Sequence, residues 1–71
     1  MPNYDPQLVR VMRNALEEAM KKVPLQYSTL ATKAYLAECI LKAAAEGQTN
    51  YDEFVAAATA QIQEIINLLF A

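Results

Sequence analysis

The residues able to do chemistry are few, and their spacing decides against most of it. Glu17 and Glu18, Asp52 and Glu53, and the series Glu38, Lys42 and Glu46 are the acidic groupings. Paired-carboxylate hydrolysis needs two acids across a cleft, one of them in an apolar setting that raises its pKa. These groups instead lie at helix starts or on solvated strips, where capping and surface pairing account for them. They match no metal-binding spacing. There is no histidine, so the commonest general base and zinc ligand is missing. Cys39 is the single cysteine. Alone it makes neither a thiolate metal site nor an activated nucleophile, and it reads as a small apolar residue at the edge of a packed helix. Gly47 is the only glycine, which removes phosphate-cradling glycine loops. The expectation is a protein with no catalysis, no metal and no cofactor.

Those residues must be carried on helices, because no stretch alternates as a strand does. Asp5 followed by Pro6 is a helix start: a carboxylate to cap free N–H groups, then proline at the first helical position. Leu8, Met12, Ala15, Leu16, Ala19, Met20 and Val23 follow at helical spacing, and Pro24 stops the run. This predicts helix one over 6–22. Arg13–Glu17, Glu17–Lys21 and Glu18–Lys22 are four apart and suit a solvated face.

Helix two, 28–46, is apolar around most of its circumference and organises the rest. Ser28 is its expected cap, with Thr29 as a substitute and a start as early as Leu25 as an alternative. Leu30, Ala34, Ala37, Leu41, Ala44 and Ala45 form one broad face, with Leu36, Ile40 and Ala43 in a second sector beside it. Glu38, Lys42 and Glu46 mark the solvent side. Lys33 projects from the apolar sector near the helix start, where its stem packs and its ammonium reaches water. Gly47 sits where a helix needs a left-handed terminating residue. Asn50 with Glu53 resembles a capping box, with Thr49 and Asp52 as a shifted version, and opens helix three, 51–70, whose stripe runs from Tyr51 and Phe54 to Ile66 and Leu69.

Similar lengths and short connections predict an all-α, up-down-up three-helix bundle. It forms one domain over 1–71, with 1–4 as a short N-terminal arm. Dimerisation is a way of completing it: 71 residues are near the lower limit for a self-sufficient core, yet 55% are apolar, slightly above the usual 45–50% on a similar residue set. Leu68 and Phe70 lie at the edges of the helix-three stripe. With Leu36 and Ile40 they make the candidate interface for a second copy or another protein; completing the intramolecular core is the competing role.

Helix two departs from two known recognition modes. A phosphopantetheine carrier places Asp-Ser-Leu where this chain has Tyr27, Ser28, Thr29 and Leu30, and Lys33 and Lys42 depart from that family's acidic helix. A helix-turn-helix reader wants glycine where Tyr35 stands. The net charge of −2 gives no general attraction to phosphate backbones. A nucleic-acid role therefore falls to the basic side of helix one, Arg10, Arg13, Lys21 and Lys22, interleaved with Glu17 and Glu18. The lone cysteine suits a reducing, cytoplasmic setting. The opening MPNYDPQ has no basic-then-apolar pattern, so no secretory leader is expected, and no apolar run of about 18 residues predicts a membrane span.

Leu36 to Gly47, LAECILKAAAEG, with Asp52 a little beyond, resembles a segment of short helical proteins of bacteria, particularly α-proteobacteria. The loop of those proteins, glycine-acid-arginine-aspartate, is here Gly47, Gln48, Thr49 and Asn50. The resemblance implies a small cytosolic protein and carries over no functional residue.

Overall fold

A computed structural model describes residues 5–71, and the expected arm at 1–4 lies outside them. The chain is an all-α bundle of three helical arms, the last of them bent. Helix α1 is Pro6–Lys21, α2 is Leu30–Ala45, α3 is Tyr51–Thr59 and α4 is Ile62–Phe70; a 3-10 turn, Leu25–Tyr27, joins α1 to α2.

The helix ends follow local chemistry. Asp5 Oδ1 accepts a 2.7 Å hydrogen bond from the Gln7 N–H, and Pro6 opens α1. Asn50 Oδ1 accepts from the Asp52 N–H at 2.7 Å, so it caps α3 directly and not through Glu53. At α2 the cap is Thr29, not Ser28. Its hydroxyl accepts from the Thr32 N–H at 3.2 Å, while Thr32 Oγ1 donates to the Tyr27 carbonyl at 2.7 Å. Thr32 is fully buried, so these bonds tie the start of α2 to the turn before it and leave the buried hydroxyl satisfied.

Gly47 ends α2 with φ +101°. The Gln48 N–H returns to the Ala43 carbonyl at 3.1 Å and the Gly47 N–H to Ala44 at 3.0 Å, the bond pair of a Schellman terminus. A Cβ at this position would meet nothing within 4 Å, so substitution is opposed by backbone conformation alone. We expect Gly47→Ala to cost about 1–2 kcal/mol. Thermal unfolding monitored by circular dichroism should show a Tm lower by at least about 4 °C.

The third helix, expected over 51–70, is bent, its two parts being Tyr51–Thr59 and Ile62–Phe70. The Gln61 N–H bonds the carbonyl of Ala58, three residues back, at 3.1 Å. The ladder therefore tightens at Ala60–Gln61 before α4 begins. Thr59 supplies the cause: its hydroxyl donates to the carbonyls of Val55 at 2.8 Å and Ala56 at 3.3 Å, and such back-bonding bends helices. No side chain caps α4. Its far end returns to the α1–α2 connection, where the Phe70 and Tyr27 rings sit 4.9 Å apart at 53°. This places the third arm antiparallel to α2.

The core joins Met12, Ala15, Ala19 and Val23 from α1 and its end to Leu36, Ile40 and Ala43, Phe54 and Ala58, and Ile65. α1 packs most extensively on α3, α2 packs on both, and α4 packs chiefly on α2. The fully buried alanines Ala15, Ala19 and Ala58 leave room for the helices to approach closely.

Helix α2 corrects an expectation. Its inward face is the second sector, Leu36, Ile40 and Ala43, joined by Thr32; much of the broad face lies outside, with Leu30, Ala34, Leu41 and Ala45 exposed. Each sector carries two large side chains, so the ~1.5–3 kcal/mol gained by burying each of Leu36 and Ile40 does not by itself choose between them; the Thr32 hydrogen bonds to Tyr27 and Thr29 fall on the inward side.

Candidate association surface

Of the four candidate interface residues, two are corrected by burial. Leu36 is 0% exposed and Ile40 2%; both are bundle core and neither offers a surface. Leu68 is 67% exposed and Phe70 42%, although the Phe70 ring is held against Tyr27. Leu68 edges a cleft between α2 and α4 that it shares with Tyr35, Cys39, Gln61, Glu64 and Asn67. That lining is too mixed for an apolar seat.

The more apolar surface is elsewhere. Val9 and Leu16 of α1 and Ala37 and Leu41 of α2 flank an open groove over Met12 and Ile40, with Arg13 on the α1 wall. Its volume is about 240 Å³, below the usual ~300–1,000 Å³ of small-molecule sites and on the scale of a side chain. Val9 and Leu41 are exposed. Towards the start of α2 stand the two most exposed leucines, Leu30 at 86% and Leu25 at 90%. Helical period alone does not reveal this surface, because Leu30, Ala37 and Leu41 share a face that reads equally well as core.

The nucleic-acid candidates Arg10, Arg13, Lys21 and Lys22 are all exposed on α1 or at its end. The expected four-apart ion pairs do not form: among the described residues the one ion pair within 4 Å is Lys21–Glu18, three apart, at 3.9 Å. Glu17 stands exposed among the four cations. Lys33 is exposed at the start of α2.

Cys39 is half-buried, and burial, reinforced by the neighbouring Glu38 carboxylate, raises its thiol pKa despite the opposing charge of Lys42. The thiolate is the reactive form. At pH 8 Cys39 should therefore alkylate more slowly in the folded protein than in urea, with a pH midpoint above that of the unfolded chain. Iodoacetamide labelling followed by mass spectrometry measures both.

Among the described residues no group of three or more His, Cys, Asp or Glu is placed to hold a metal, and no helix is long and apolar enough to cross a membrane. Comparison with protein-family models, curated proteins and solved structures finds no match.

Proposed function

We propose that this chain is a small non-catalytic association module that binds through apolar helical surface, with a second copy of itself as the first partner to test. The observation carrying this reading is the exposure of Leu30, Leu41, Val9 and Leu68 on a domain short enough that covering them matters. Burying each such side chain is worth ~1.5–3 kcal/mol, enough for a few to set the oligomeric state. The single, half-buried thiol suits a cytoplasmic setting. Sedimentation equilibrium across a concentration series tests the reading: the mean mass should rise above 7.9 kDa as concentration increases. A mass fixed at the monomer value argues for a different protein as partner.

A second reading, a small nucleic-acid-associated regulator, rests on the four exposed cations of the α1 side. It requires DNA or RNA affinity that falls steeply with added salt. Fluorescence anisotropy with a labelled duplex at low ionic strength removes it if no binding is seen.

A further inference from the structure

The bent third arm and α2 enclose a cleft of about 510 Å³, larger than the α1–α2 groove and within the usual ~300–1,000 Å³ of small-molecule sites. The least exposed of its lining residues are Ile65 and the half-buried Cys39, so its depth is apolar. Tyr35 borders it from α2, and Leu68 from α4. Its polar groups come from one side. Gln61, where the helical ladder tightens, and Asn67 supply amides, and Glu64 supplies a carboxylate. Asn67 is engaged, its Oδ1 accepting from Gln63 Nε2 at 3.2 Å. Glu64 forms no ion pair within 4 Å among the described residues, and no lysine or arginine among them lines the cleft.

That lining selects a guest by charge. The apolar depth takes a hydrocarbon body, the unpaired carboxylate takes a positive charge, and a tyrosine ring attracts the same charge through its face. An anion would meet Glu64 with no cation to offset it. We infer that the α2–α4 cleft binds a small organic cation, a primary ammonium on an apolar stem, with Glu64 as counter-ion and Tyr35 against the charged end. The adjoining hollow, which shares Tyr35 and Cys39, adds Lys42 as well as Glu38, so it offers no net charge to draw the guest away.

The inference stands on this cleft alone and does not depend on self-association. Titration of benzylammonium into the full chain, followed through its amide resonances at low salt, tests it. Resonances of Tyr35, Ile65 and Leu68 should move saturably with a Kd near ~1 mM. The neutral isostere benzyl alcohol should bind about fivefold more weakly, and phenylacetate should give no saturable shift. Glu64→Gln, at an exposed position, should weaken the amine about threefold and leave the alcohol unchanged. Tyr35→Leu keeps apolar area and should cost the amine a similar factor by removing the ring. Circular dichroism confirms that both variants stay helical, and the comparison of amine with alcohol needs only the wild type. Equal binding of the two overturns the inference. So does a saturable shift confined to Val9, Leu16 and Leu41, or none at all by about 10 mM amine.

Discussion

Phe54→Ala should remove a large share of this protein's stability. Phe54 is fully buried and occupies α3, the element on which both α1 and α2 pack. Removing a buried phenylalanine ring costs about 3–5 kcal/mol, part lost transfer energy and part cavity. At roughly 0.05–0.15 kcal/mol per residue, a chain of this length has only about 4–11 kcal/mol in total. The buried core to which it belongs includes Ala15, Ala19 and Ala58, which have no side-chain reach to fill the space. We expect thermal unfolding followed by circular dichroism to show a Tm lower by at least about 12 °C. A variant that retained the wild-type Tm would contradict the central placement of Phe54.

The second large effect separates the two apolar sectors of α2. Leu36→Ala should cost about 2–5 kcal/mol, because Leu36 is fully enclosed. Leu30→Ala should change stability by no more than about 0.5 kcal/mol in the dilute monomer, as for other exposed positions. Urea unfolding of the two variants at low micromolar concentration gives the comparison directly. The reverse order would mean that the broad alanine-rich face points inward.

These contrasts show what the residues made legible and what they did not. Termini controlled by one or two side chains could be read from type and spacing: Asp5 before Pro6, Asn50 before α3, and Gly47 after α2 all act as their chemistry requires. The all-α bundle followed from period and loop length. Orientation of α2 did not. Its apolar residues span so much of the circumference that two faces compete, each with two large side chains, and the inward one also carries Thr32, a polar residue whose bonds to Tyr27 and Thr29 no hydrophobic pattern registers. The candidate surface was misplaced for the same reason, since Leu36 and Ile40 exchanged roles with Leu30 and Leu41. The bend in the third arm escaped because Thr59 fits the helical period while its hydroxyl perturbs the ladder.

That bend has a consequence for how the molecule comes apart. Beyond Ala60–Gln61 the chain leans mainly on one neighbour, with Ile65 its one fully enclosed residue and the Phe70–Tyr27 ring contact near its tip. Such a segment opens at lower free energy than the arms gripped on two sides. The last nine helical residues are therefore expected to open before α1, α2 and α3 separate, with amide protection in hydrogen exchange fading there first.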